Sequence, residues 1–312
     1  MMRLLSAILL LFLCACAPTF AARENSAMIP AMDTEFLTAR DGAKLPMRHW
    51  DAEGETRAVI VALHGMSDYS NAFDMPGKVW AKDGITTIAY DQRGFGRGDN
   101  PGLWAGADIM RADLGDAVAA ARLRYPGVPV FALGESMGGA VLLTALASEN
   151  PPKVDGAILV APAVWSRGDM PLTYRAALFL ASRLLPGMIL SNNAAKSVVR
   201  IVPSDNVPML IALGKDPLFQ KRTRTDTLYG LVDLMDEART APDTLTKPPP
   251  ILLLHGLNDQ VIPPAPTRAV IASLGARATV REYPKGYHML LRDLEGEEVD
   301  KDVAEWVLRG NK

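Results

Sequence analysis

The chain has 312 residues but only two cysteines, Cys14 and Cys16, both close to its start. No cysteine pair is left for the folded body, which excludes a disulfide framework as the source of its stability. Aromatic residues are sparse at 6%, the formal net charge is -2 at pH 7, and no block of like charges forms a basic or acidic tail. That balance offers no cationic face to a nucleic-acid backbone, so no nucleic-acid partner is expected. Nor is there an apolar stretch of the roughly 20 residues that a membrane-spanning helix needs. What remains is an ordinary globular composition, 49% apolar and 22% charged, with material for one large core.

The run from Leu4 to Leu13, apolar except for Ser6 and preceded by Arg3, is too short to span a bilayer and reads as an export signal over residues 1–16. Leu13-Cys14-Ala15-Cys16 at its end resembles the lipobox of bacterial lipoproteins. The resemblance implies cleavage before Cys16, lipidation of Cys16 and attachment to a membrane without spanning it. The alternative is a plain secretory signal cut after Ala21 or Ala22. The expected location is the bacterial cell envelope, lipid-anchored on the outer membrane or facing the periplasm; the alternative is a secreted or periplasmic protein. Residues 17–32, small or polar and unpatterned, read as a tether.

Beyond the tether, apolar runs alternate with helical patterns. Phe36 to Ala39 and Leu45 to Trp50 flank Asp41-Gly42 as a hairpin. Ala58 to Leu63, Ile85 to Tyr90, Val128 to Leu133, Ala157 to Val160, Ile251 to Leu254 and Ala278 to Tyr283 read as further strands. Several are continuous apolar runs, as expected of strands buried on both faces. The helical patterns lie at Phe73 to Lys82, Ile109 to Arg124, Met137 to Ser148, Ala265 to Leu274 and Val299 to Leu308. This alternation calls for an α/β fold with a mostly parallel sheet covered by helices. Residues 33–162 and 251–312 form the expected core, and residues 163–250, which hold no convincing strand, are an insertion. Leu172 to Leu185 and Thr227 to Ala238 are its helical candidates. Leu178, Phe179 and Leu184 are expected to line a substrate pocket if the insertion acts as a lid, and simply to pack on the main domain if it does not.

The strand Val128 to Leu133 runs into Gly134-Glu135-Ser136-Met137-Gly138, and a helical pattern follows. A Gly-x-Ser-x-Gly between a strand and a helix holds the serine on a sharp turn, exposed at a helix N-terminus that favours developing negative charge. A serine hydroxyl needs an adjacent base. Of the four histidines, His49 lies in the early hairpin, His64 and His255 end strands, and His288 alone follows the last strand. The order Ser136, acid, His288 requires a carboxylate after the penultimate strand, where Asp259 stands; Asp293 is the rival. The backbone N–H groups of Met66 and Met137 are the candidate oxyanion donors, with an apolar filler as the other reading of Met66.

On His64-Gly65-Met66, Asp91 to Gly98, Gly134 to Gly139, His255-Gly256 with Asp259, and Tyr287-His288, the chain resembles the monoglyceride lipase and lysophospholipase branch of the α/β-hydrolases, also described as serine aminopeptidase-like, over about Phe36 to Leu308. The resemblance implies the α/β-hydrolase fold, an eight-stranded sheet with a helical cap between its sixth and seventh strands, and carboxylester hydrolysis of a small-molecule ester or lipid without metal or organic cofactor. Monoacylglycerol- or lysophospholipid-like esters are the expected substrates. The chain departs from the family at Ser67-Asp68-Tyr69, where Gly-Glu-His is common, and at Gly98, where a serine is common. A peptidase or lactonase using the same three residues is the alternative activity, and a noncatalytic envelope lipoprotein the alternative of another class. The sequence carries no sign of an oligomeric state.

Overall fold

The apolar runs pair into one sheet for a reason visible in their spacing. Val59, Val61 and Leu63 join one buried cluster, and Ala58, Ile60 and Ala62 join another. Successive side chains of a strand point to opposite faces, so a strand covered on both sides must be apolar at every position. The same division separates Val130 and Ala132 from Phe131 and Leu133, and Leu253 from Leu252 and Leu254.

The computed structural model describes residues 28–191 and 201–309. The export signal, Cys16 and most of the tether lie outside the described residues. The main sheet contains β1 (Ala31–Met32), β2 (Phe36–Thr38), β3 (Lys44–Trp50), β4 (Ala58–Leu63), β5 (Ile85–Tyr90), β6 (Val130–Glu135), β7 (Gly156–Val160), β10 (Ile251–Gly256) and β11 (Ala278–Tyr283). Its order is β1-β2-β3-β5-β4-β6-β7-β10-β11. From β5 to β11 every pairing is parallel, while β1, β2 and β3 continue the sheet antiparallel. The eight expected strands are present, and the two-residue β1 adds a ninth at the edge.

Helices α1 (Asp74–Lys82) and α8 (Gly296–Arg309) cover one face through Trp80, Val299, Val303 and Val307. Helices α2 (Ala107–Arg124), α3 (Met137–Leu146) and α7 (Pro264–Leu274) cover the other through Leu114, Val118, Val141, Leu142 and Val270. Between β7 and β10 the chain forms α4 (Leu172–Leu184), β8 (Ile189–Ser191), α5 (Val207–Lys215), β9 (Arg222–Arg224) and α6 (Thr225–Thr244).

This insertion differs from the expectation in two ways. It does hold strands, because Leu190 pairs with Thr223 in a short antiparallel ladder of β8 with β9. Three-residue strands are too brief to show a period of two. The insertion is also divided. Leu231, Leu234, Met235, Ala238 and Ala241 of α6 recur at helical spacing, and all are buried in the larger core cluster on α3. α6 is therefore part of the main body's helical layer, whereas α4 leaves Leu172, Tyr174, Phe179, Leu180 and Leu184 exposed.

Candidate active site

The strand β6 continues through Gly134 and Glu135, and Ser136 then adopts φ 52° and ψ -113°, a strained conformation for a residue with a side chain. The turn is possible because its glycines carry no Cβ. A Cβ at Gly134 would stand 2.3 Å from the carbonyl oxygen of Gly138, and one at Gly138 would stand 2.2 Å from that of Leu63. Met137 opens α3 immediately afterwards, which sets Ser136 at the helix N-terminus.

Two loops from neighbouring strands meet this serine. After β10, Asp259 turns back on itself, its Oδ1 accepting the backbone N–H of Val261 at 2.8 Å and of Ile262 at 3.0 Å. After β11, His288 places Nδ1 2.8 Å from Asp259 Oδ2 and Nε2 2.9 Å from Ser136 Oγ. A carboxylate can only accept, so the proton sits on Nδ1 and Nε2 is free to accept from the serine hydroxyl. Asp259 and His288 are buried and Ser136 is half-buried, open on one side to solvent. Burial works to raise the Asp259 carboxyl, but the hydrogen bond and charge of His288, together with the two backbone donors, outweigh it and hold Asp259 below the ordinary value.

The rival carboxylate is engaged elsewhere. Asp293 accepts the Ser204 hydroxyl and the Tyr287 backbone N–H, both at 2.6 Å, and burial lifts it to about 6. It braces the loop that carries His288 without bonding to the imidazole. The remaining histidines also have other places. His64 donates Nδ1–H to the Gly65 carbonyl at 2.8 Å and accepts the Gln92 backbone N–H on Nε2 at 3.0 Å, and burial lowers its pKa. It shapes the turn after β4 as a neutral ring. His255 is buried at the end of β10, and half-buried His49 stands 3.5 Å from Asp51.

The turn shaped by His64 lies against the serine. A Cβ at Gly65 would come within 3.3 Å of Ser136 Cβ and 3.9 Å of its Oγ, so Gly65 borders the reacting oxygen. The Met66 side chain, next along the chain, packs on the larger core cluster. Met137 follows Ser136 directly and is fully buried. Of the lid candidates, Leu178 is half-buried against the core, while Phe179 and Leu184 are 49% and 56% exposed. The Arg183 guanidinium lies 5.6 Å from the Phe179 ring centroid.

The sequence marked Ser67-Asp68-Tyr69 as a departure from the family pattern but gave no contacts for them. Arg292 donates a hydrogen bond to Glu135 and forms an ion pair with Asp68, and all three are buried. The insertion also grips the turn: Gln220 N–H donates to the Ser67 carbonyl at 2.8 Å and Tyr69 Oη–H donates to Asp216 at 2.6 Å. A charged residue inside Gly-Glu-Ser-Met-Gly was the other available signal, and nothing local identified its partner.

The fold agrees with what the chain is similar to. Monoglyceride lipase of Rattus norvegicus is 27% identical over 276 residues, 87% of this chain and 88% of that protein. Monoacylglycerol lipase of Mycolicibacterium smegmatis is 26% identical, covering 86% of this chain and 94% of that protein. Among solved structures, monoacylglycerol lipase of Paleococcus ferrophilus superposes with a TM-score of 0.69 at 23% identity, over 85% of this chain and 99% of that one. The family model described as serine aminopeptidase, S33, matches residues 54–295, well over half of the sequence. With its parallel α/β sheet and this serine turn, the chain belongs to the serine aminopeptidase S33 family of α/β-hydrolases.

Proposed function

We propose that the protein hydrolyses carboxylic esters through an acyl-enzyme formed on Ser136. The observation that carries this reading is the unbroken hydrogen-bonded chain from Asp259 through His288 to Ser136. As Ser136 Oγ attacks the ester carbonyl, its proton passes to His288 Nε2, and Asp259 stabilises the resulting imidazolium. The carbonyl oxygen becomes an anion held by the backbone N–H groups of Met66 and Met137 at the edge of the helix N-terminus. Collapse of this intermediate expels the alcohol, which takes the proton from His288. Water then enters, gives a proton to His288 and attacks the acyl carbon; the carboxylic acid leaves and Ser136 recovers its proton.

The substrates are monoacylglycerol- or lysophospholipid-like esters. Similarity to the rat monoglyceride lipase and the mycobacterial monoacylglycerol lipase supports the monoacylglycerol part of this class. The exposed apolar side chains of α4 support it as well, since a lid that receives an acyl chain must present apolar surface to it. In this reading Leu178, Phe179 and Leu184 line the acyl site. Lipidation at Cys16 would hold the enzyme at the envelope membrane, where such substrates are found.

A fluorophosphonate probe tests the central claim. It should label Ser136 and no other residue, and Ser136→Ala should abolish both labelling and hydrolysis of a soluble ester, with a peptide amide as the control substrate. Full activity in Ser136→Ala would overturn the reading. Growth with a labelled fatty acid should tag the full chain but not Cys16→Ser, and a mature protein starting at Arg23 would remove the anchor.

A further inference from the structure

Three of the segments in the hydrolytic reading converge on one buried cation. Arg292 lies in the short turn Leu290–Arg292, four positions after His288, and it is 5% exposed. Its Nη1 stands 2.8 Å from Asp68 Oδ2, and its Nη2 stands 3.2 Å from Glu135 Oε2. Asp68 follows Met66 by two positions, and Glu135 directly precedes Ser136. One guanidinium therefore links the oxyanion turn, the nucleophile turn and the base loop, each within four residues of its functional group.

We infer that Arg292 is a positioning residue that fixes the Met66 turn and the His288 loop relative to Ser136. This rests on the hydrolase reading above. The planar guanidinium suits the task, because one nitrogen donates a hydrogen bond to Glu135 while another faces Asp68 as an ion pair, a spread that a compact ammonium would not reproduce. Stability alone is a poor account of the arrangement. Removing charges from water costs several kcal/mol per ion, and apolar residues of similar volume commonly stabilise as well or better. Burial pushes the Glu135 carboxyl up, and the Arg292 charge works against that push. Arg292 itself is raised by Asp68 and Glu135 although burial opposes it. Arg292 thus counters the burial that pushes Glu135 toward its neutral form.

The geometry matters because a displacement of about 1 Å at a reacting group can cost about 100-fold in rate. Arg292→Met frees both turns while approximating the apolar stem. It should lower kcat for a monomeric p-nitrophenyl ester about 100-fold per site titrated with fluorophosphonate, with KM changed less than about threefold. Arg292→Lys, which restores the charge without that spread, should recover part of that loss. Asp68→Asn releases one arm and should lower kcat about tenfold. Combined with Arg292→Met it should add almost nothing, since both act through one unit.

Wild-type kcat per titrated site in Arg292→Met, with a lowered melting temperature as the sole effect, would overturn the inference. Should Arg292→Met fail to fold, wild-type kcat in Asp68→Asn would overturn it equally. Failure of the hydrolase reading looks different, because Ser136→Ala would then retain activity.

Discussion

Asp300 on α8 is 2% exposed, its Oδ1 has no hydrogen-bond partner, and its helix neighbours Val299, Val303 and Ala304 belong to a buried apolar cluster with Trp80. Burial, with smaller contributions from Glu297 and Glu135, raises its pKa from 3.8 to about 8. The folded protein keeps this proton up to about pH 8, whereas the unfolded chain releases it near 3.8. Between those values the unfolded state binds fewer protons, so stability falls as pH rises, by about 1.4 kcal/mol per pH unit. Above the folded value the decline from this group ends.

At pH 7 the accumulated cost is on the order of 4 kcal/mol, an upper figure because relaxation and water entry soften burial. Asp300→Asn removes the ionisation and keeps the shape. Its advantage over the wild type should therefore be smallest near pH 4 and grow steadily toward pH 8. Urea unfolding at unit steps from pH 5 to pH 9 reads this directly. With a slope of about 3 kcal/mol per molar urea, the midpoint difference should widen by about 1 M across that range. A midpoint difference that stays constant from pH 5 to pH 8 would refute the assignment of a buried, neutral Asp300.

Asp259→Asn should reduce kcat by about 10,000-fold with the fold intact, because the amide favours the wrong imidazole tautomer. Asp293→Asn should stay within about tenfold of the wild type, since Asp293 bonds Ser204 and Tyr287 rather than His288; steady-state kinetics on both variants separates the two acids. Polar substitution of the exposed Phe179 and Leu184 should lower kcat/KM for long-chain esters and spare acetyl esters, at about 0.8 kcal/mol for each methylene that loses apolar contact. The comparison uses substrate below its aggregation threshold. Equal losses on both esters would indicate general damage, and no loss on either would remove these side chains from the acyl site.

Much of this architecture was legible along the chain because it depends on local spacing. Apolar residues at every position of a short, β-branched run, as in Ala58–Leu63, suit a strand covered on both faces, and β4 is fully buried. A Gly-x-Ser-x-Gly between such a strand and a helix implies a tight turn, and Ser136 has the positive φ that the turn demands. The chain order of Ser136, Asp259 and His288 followed from the succession of strand ends.

Tertiary structure decided what spacing could not. Asp259 and Asp293 are both acids near the right strands, and only the 2.8 Å contact to His288 separates them. The amphipathic pattern of α6 suited a lid as well as a core helix, because either gives one apolar stripe; its packing on α3 settled the matter. The turn carrying Met66 was readable, but its contacts with Arg292 and with Asp216 and Gln220 of the insertion were not. Periodicity reports which face of an element is covered. Which charges meet beneath the sheet edge is fixed by folding together segments far apart in sequence, as Glu135 and Arg292 are, 157 positions from one another.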